Sequence, residues 1–449
     1  MTRPILTAAE MRRLEQTAFD AETDERALME RAGLALAQAA LAMFGPRDTI
    51  ILAGTGNNGG DGYVAARALA DAGASVRIVR TGEPGTDTSK AAAGDWAGPT
   101  EMFASDTETA DLVIDCLFGT GLSRPIEEDV ANPARRLLGA ADRRIACDLP
   151  SGVVADTGET LSDLGPYDLT LALGAMKPAH RLAPAMQSCG RVAIAPLGLE
   201  PESDWFEIER PDLPKGDPLG HKFDTGMVHC LSGAMPGAIA LSAHAAARAG
   251  AGYVRVSTSR IIDNLPSSIV QTEDAGALDD ERIGCLLLGP GMGDIPPLLT
   301  VALTKTHPLV LDADALGHVG EPERLQGHDA IITPHEGEFR SLFGEIDGSK
   351  ADRALIAAQR CGNVVVYKGP DTLVAAPDGR LGFAPPAPAA LATAGTGDVL
   401  AGMIAAMRAR GMDAFDAACA GVWLHGRAAE ACRHPLIADD LIAALPAVL

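Results

Sequence analysis

Near its C-terminal end the chain reads ATAGTGDVLAG (392–402), small residues and an aspartate at the start of a helical pattern. Gly395 and Gly397 free the backbone N–H groups around Thr396 to face an anion. Asp398 stands where a general base takes a proton from an attacking hydroxyl. The chemistry this suits is phosphoryl transfer. No G-x-x-x-x-G-K-[ST] occurs, so it is not the P-loop kind. A second glycine run, GTGNNGGDG (54–62), follows the strand-like TIILAG and opens a helix, again aiming N–H groups at an anion. Its first six residues fit G-x-G-x-x-G. The next strand, SVRIVR, offers Arg77 and Arg80 where a dinucleotide-binding dehydrogenase wants an acid, which disfavours that class. Asp115 ends a strand and leads into GTGLSRP (119–125). Asp148 ends another and leads into Leu149, Pro150, Ser151 and Gly152. Asn58, Asp115 and Ser151 present hard oxygens suited to holding a cation jointly, and Asp148 is left as a proton carrier.

Two series of elements must position these groups. The first alternates strands 49–54, 75–80, 112–119, 144–150, 169–174 and 191–196 with helical stretches such as 60–72. The second alternates strands 253–258, 285–289, 309–314, 330–334 and 364–369 with helix 238–249 and a helix opening at Thr396. Such alternation predicts parallel sheets with crossover helices. Between them, 198–220 is rich in proline and acid and lacks periodicity. The expected organisation is therefore a domain over 1–208, a linker over 209–220 and a domain over 221–449.

With 449 residues, two cores are the natural expectation. An apolar fraction of 47% fits a folded chain, and a formal charge of -23 argues against nucleic acid and anionic membranes as partners. The eight cysteines are scattered singly, without a C-x-x-C pair, which argues against a disulfide framework or zinc site. No membrane-spanning stretch or leader is read from the sequence, so the expected compartment is the cytoplasm.

GTGNNGGDG, Asp115 with GTGLSRP, DLPSG and LMERAG (28–33) together resemble the NAD(P)HX epimerase domain. That resemblance implies a Rossmann-like three-layer α/β/α fold and inversion of the hydroxyl-bearing C6 of hydrated NADH or NADPH (NADHX, NADPHX). Asn57, Asn58, Gly59, Gly60, Asp61, Gly119, Thr120, Gly121, Leu122, Ser123, Arg124, Pro125 and Asp148 would contact the substrate, while Asn58, Asp115 and Ser151 would bind potassium. The AGTGD motif resembles the ribokinase-like superfamily. With HK (221–222), MPGA (235–238), GPGMG (289–293), LDADAL (311–316), TPHEGEF (333–339) and KGPDT (368–372), it resembles the ADP-dependent NAD(P)HX dehydratase family. This implies a ribokinase-like α/β domain that phosphorylates the C6 hydroxyl from ADP with Mg²⁺ and eliminates phosphate, leaving AMP. Ala238, Gly293, His335 and Asp398 would meet the hydrated nucleotide; Lys368, Gly369, Pro370, Asp371, Thr372 and Gly397 would hold AMP. The chain departs from that family's pattern at Phe223, usually glycine, and at Gly317, often asparagine. An alternative is a ribokinase-like vitamin-precursor kinase with a non-catalytic N-terminal binding module. Oligomeric state, including a homo-oligomer, is left open.

Overall fold

The computed structural model describes residues 3–21, 24–263 and 265–449, in two compact units, Arg3–Ser203 and Asp204–Leu449. The first unit opens with β1 (Arg3–Pro4), α1 (Ala8–Asp20) and α2 (Glu25–Phe44). It continues β2 (Asp48–Ala53), α3 (Asn57–Asp71), β3 (Ser75–Arg80), α4 (Asp87–Gly94), β4 (Thr100–Met102), β5 (Leu112–Cys116), α5 (Glu128–Ala140), β6 (Arg143–Cys147), β7 (Leu169–Leu173) and β8 (Arg191–Ala195). Seven strands form a sheet in the order β4-β3-β2-β5-β6-β7-β8, every neighbouring pair parallel. Side chains alternate across the sheet. Ile51, Ile78, Ile114 and Ile145 pack with Leu36 and Val64, while Ile50, Leu52, Val79 and Val113 pack with Ala134, Leu137 and Leu138 of α5. Helices thus cover both faces, and the unit has three layers. Strand order reverses between β2 and β5, which opens a crevice beyond their carboxyl ends.

Helix α2 has the length of a membrane span, with a mean hydropathy of 1.2 over its most apolar window, a property the sequence reading did not anticipate. Its Leu28, Met29, Ala32, Leu36, Ala37 and Ala40 are buried in the core of this unit. The LMERAG motif explains the fit. A Cβ on Gly33 would stand 2.6 Å from the Asp61 carbonyl oxygen and Val64 Cγ1, and one on Gly60 would stand 2.5 Å from Met29 Cε, so glycines let α2 and α3 approach closely. The motif's role is to press α3 into place.

The second unit contains β9 (Trp205–Glu207), β10 (Met227–Leu231), α6 (Pro236–Arg248), β11 (Tyr253–Ser257), β12 (Val270–Thr272), β13 (Ile283–Leu288), α7 (Pro296–Ala302), β14 (Leu309–Leu311), α8 (Asp314–Val319), β15 (Ala330–Ile332), α9 (Glu336–Phe343), α10 (Lys350–Cys361), β16 (Val364–Tyr367), β17 (Leu373–Ala375), β18 (Leu381–Phe383), α11 (Thr396–Ala409), α12 (Ala414–Ala431) and α13 (Ala438–Ala444). Neighbours run β9-β18-β17-β16-β15-β14-β13-β10-β11-β12. Order reverses between β10 and β13, where MPGA and GPGMG follow the strands. The pairs β16–β17 and β17–β18 are antiparallel, unlike the parallel sheet expected. The segment KGPDT joining β16 to β17 is too short for a crossover, which takes a dozen or more residues. Strand β9 pairs in parallel with β18, Trp205 opposite Leu381, so residues 205–207 belong to this unit and the chain divides before the expected boundary at 208.

Candidate active sites

In the first unit a cavity of about 400 Å³ lies at the β2/β5 reversal. It is lined by Asn57, Asn58 and Asp61 from α3, by Gly119, Thr120, Gly121 and Leu122 after β5, and by Asp148 after β6. Gly59 and Gly60 are buried in the first turn of α3. Ser123, Arg124 and Pro125 continue the loop into solvent and do not line the cavity. Arg77 donates to the Glu108 and Thr109 carbonyls and Arg80 pairs with Glu83, so both arginines are engaged in holding loops.

Asp148 adopts a positive φ of 65°, a left-handed conformation costly for a non-glycine residue, as at many functional positions. Its Oδ1 accepts from the Leu173 N–H at 3.0 Å and from the Lys177 ammonium. Lys177, 1% exposed, also donates to the Leu173 carbonyl at 2.7 Å. His180 completes the support. Its Nδ1 accepts from the Lys177 N–H at 2.8 Å, which leaves Nε2 to donate to the Asp148 carbonyl, and burial lowers its pKa to about 3. Sequence reasoning missed Lys177. The signal was a lysine just after the strand LTLAL, in GAMKPAH.

Asp115 is fully buried. Its oxygens accept from Leu117 N–H (3.0 Å), Ser151 Oγ (2.7 Å), Ser151 N–H (3.0 Å) and Tyr167 hydroxyl (2.5 Å). Burial raises its pKa, and these hydrogen bonds oppose the rise. Among the described residues it has no ion-pair partner. The Asn58 amide nitrogen is buried and without a hydrogen-bond partner.

In the second unit the motifs meet at three strand ends. The Gly293 N–H donates to Asp314 at 2.7 Å and His318 Nε2 lies 3.0 Å from the Gly293 carbonyl, tying GPGMG to DADAL. Ala234 N–H donates to the Met292 carbonyl and Met235 N–H to that of Gly291, and a Cβ on Gly291 would stand 3.0 Å from Ala238. A cavity of about 490 Å³ includes Gly293, Asp314, Gly317, His318 and Glu338. Nothing lies within 4 Å of a Cβ at Gly317, so the chain leaves that wall open. Phe223, the other departure, stacks near Tyr253 with the Lys222 ammonium 4.7 Å from the Tyr253 ring centre.

The Lys368 ammonium donates to Asp312 at 2.6 Å and stands 3.8 Å from Glu338; a Cβ on Gly397 would lie 3.6 Å from it. Thr333 Oγ1 donates to the same Asp312 oxygen at 2.7 Å. Lys368 thus bridges DADAL, α9 and the first turn of α11. Asp398 occupies that turn, and its pKa rises to about 6 through burial first, then the Asp312 charge, with Lys368 opposing. Gly395 caps α11 at φ 86°, and the Ser242 hydroxyl donates to the Asp398 carbonyl at 2.8 Å. The KGPDT turn is self-braced. Gly369 N–H donates to the Thr372 hydroxyl at 3.1 Å, and half-buried Lys350 pairs with Asp371, whose carboxylate is thereby engaged within the protein; Pro370 is exposed. His335 caps α9, its Nδ1 accepting from the Glu338 N–H at 3.1 Å, with the ring 60% exposed. Asp312, Glu338 and Lys350 were not singled out from the sequence, although Asp312 ends a strand as Asp115 and Asp148 do.

Fold and sites define an enzyme built of two α/β units, each gathering polar groups beyond its strand ends, the second with an aspartate and a lysine at a helix N-terminus. The chain is 32% identical to the bifunctional NAD(P)H-hydrate repair enzyme Nnr of Salinibacter ruber, covering 99% of this chain and 96% of the relative, and 33% identical to that of Escherichia coli, covering 94% and 89%. It belongs to the bifunctional NAD(P)H-hydrate repair enzyme family. Residues 25–179 match the family described as YjeF-related protein N-terminus, and 228–443 match the NAD(P)H-hydrate dehydratase family. Among solved structures, the ADP/ATP-dependent NAD(P)H-hydrate dehydratase of Bacillus subtilis, co-crystallised with ATP and Mg²⁺, is 32% identical with a TM-score of 0.47, covering 53% of this chain and 93% of that one.

Proposed function

We propose that the first unit interconverts the R and S epimers of NADHX and NADPHX, and that the second dehydrates the S epimer with ADP, releasing AMP and phosphate. The observation that carries the dehydratase half is the placement of Asp398 in the first turn of α11, with the Lys368 ammonium beside Gly397 of the same turn; burial raises the Asp398 pKa to about 6. A base of that strength is ionised at neutral pH and remains able to take up a proton, as activation of a hydroxyl toward a phosphoryl group requires. Lys368 to Thr372 and Gly397 would hold the nucleotide. Ala238, Gly293 and His335 would border the nicotinamide with Asp398. In the first unit the α3 N-terminus and the 119–125 loop would grip the substrate around Asp148.

Potassium suits the first unit. Asp115 is a buried carboxyl without a basic partner among the described residues, bonded to the Ser151 hydroxyl, and the side chain of Asn58 carries a buried amide nitrogen without a partner and an oxygen that could join the set. The ion would supply positive charge at the cavity floor. Mg²⁺ suits the second unit as an ion carried on the nucleotide phosphates, since this cation is usually bound through substrate phosphates with one or two carboxylates. All eight cysteines are free thiols, which fits a cytoplasmic setting. The test is incubation of purified protein with NADHX, Mg²⁺ and ADP or ATP, following NADH absorbance and released phosphate. Regenerated NADH with free phosphate is expected; a stable phosphorylated product would make it a kinase instead.

A further inference from the structure

Besides Asp148 and Glu15, the first-unit cavity holds the carboxyl of Asp61, read so far only as a substrate contact. Asp61 projects from the first turns of α3, is 7% exposed, and lines the same cavity as Asp148. The two carboxyls are held in opposite ways. Asp148 receives an ammonium and an amide N–H at one oxygen, the arrangement an ionised carboxylate satisfies. The Asp61 carboxyl has no ion pair or hydrogen bond among the described residues, and the charges that act on it most are those of Asp148 and Glu15, with Arg12 and Lys177 elsewhere in the cavity lining. Glu15 of α1 acts on Asp61, itself under the charges of Lys177, Asp148, Arg12 and Glu25. Asp148 approaches from the end of β6, and the thiols of Cys116 and Cys147 from β5 and β6. Lys177, the buried cation nearby, is committed to Asp148. Burial first, then the Asp148 and Glu15 charges, push the Asp61 pKa well above the usual carboxylate range. A carboxyl kept from ionising beside one that is paired with an ammonium can serve as acid and base in a single cavity.

Building on the epimerase reading, we propose that Asp61 is the proton donor and Asp148, positioned by Lys177, the proton acceptor for inversion at C6. The C6 centre carries a hydroxyl and the ring nitrogen N1. Asp61 gives its proton to the hydroxyl oxygen, the C6–O bond breaks with its electron pair leaving as water, and the N1 lone pair forms a C6=N1 iminium. Water adds to the opposite face of the planar carbon and gives a proton to Asp148. Return of that proton to Asp61 restores the site with no net gain or loss of atoms or electrons. Run backwards, the same steps carry the other epimer, as an epimerase requires.

The test compares wild type with Asp61→Asn and Asp61→Glu on the R epimer, in the full-length protein. Wild-type R-to-S turnover is measured first; its absence would overturn the epimerase reading itself. Given that turnover, Asp61→Asn is expected to lower kcat at least 100-fold, in the range for lost acid catalysis, with KM within about threefold and S-epimer dehydration unchanged. Wild-type kcat should fall on the alkaline side as Asp61 ionises. Asp61→Glu should recover activity with that limb displaced. Retention of more than a tenth of wild-type kcat in Asp61→Asn, or an alkaline limb that neither substitution moves, overturns the assignment. Should Asp61→Asn lose substrate affinity through misfolding, the limb in Asp61→Glu decides alone.

Discussion

Replacing Asp312 by asparagine should move the acidic limb of dehydration to lower pH. Asp398 is lifted from an ordinary 3.8 to about 6, first by burial and second by the Asp312 charge. Asparagine keeps an oxygen for Thr333 and Lys368 but removes the like charge, and it frees the Lys368 ammonium, now 2.6 Å from Asp312, to act more fully on Asp398. Both changes favour the carboxylate. A fall of roughly one unit, about 1.4 kcal/mol, is the expected size, since burial persists. With a pKa near 6, about a tenth of the base is ionised at pH 5; near 5, about half is. Turnover at pH 5, relative to each enzyme's own plateau, should therefore rise about fivefold. Stability runs the other way. A carboxyl raised in the folded state binds its proton more tightly there, so its contribution to stability declines as pH rises from about 3.8 through about 6, while activity increases. The assay is short-time regeneration of NADH from the S epimer with saturating ADP across pH 4.5 to 8. An unchanged limb, or one moved to higher pH, would refute the claim that Asp312 tunes the base.

Asp398→Asn should lower dehydration kcat by on the order of 10²- to 10⁴-fold, with ADP affinity altered less than about tenfold by calorimetry; near-normal turnover would refute the base assignment. Asp115→Asn should abolish any difference between KCl and NaCl in thermal stability and epimerisation, and a persisting preference would place the ion elsewhere. Gly33→Val should destabilise the first unit by about 1–3 kcal/mol or more in chemical denaturation, because the added carbons meet Val64 and the Asp61 carbonyl. Unaltered stability would mean that α2 does not pack on α3 in this way.

The glycine turns and strand ends were legible because backbone chemistry dictates them. SVRIVR became β3 and the helix at Thr396 became α11, both with the expected start. Helix α3 begins at Asn57 rather than Gly60, since Gly56 is its N-cap and the two asparagines enter its first turn. The antiparallel β17 and β18 are three residues each, too short for periodicity to reveal. In the sites, the residues at strand ends were readable, but their partners were not. Lys177 reaches Asp148 across 29 positions and Lys368 reaches Asp312 across 56, distances that only the folded sheet closes. The positive φ at Asp148 and at Ala313 likewise belongs to the tertiary structure, since neither residue type announces it. His335 proved to be a helix cap, a role its position before Glu336 and Glu338 already permitted.

The central claim is that one chain carries both activities, and a racemic mixture of R- and S-NADHX tests it directly. With Mg²⁺ and ADP, the wild-type protein should convert both epimers to NADH, in a fast phase for S and a second phase for R that exceeds spontaneous isomerisation. Asp148→Asn should keep the fast phase and slow the second to the spontaneous rate. Wild-type protein that stops after the S epimer, or an Asp148→Asn variant that still consumes R at the wild-type rate, would contradict the account.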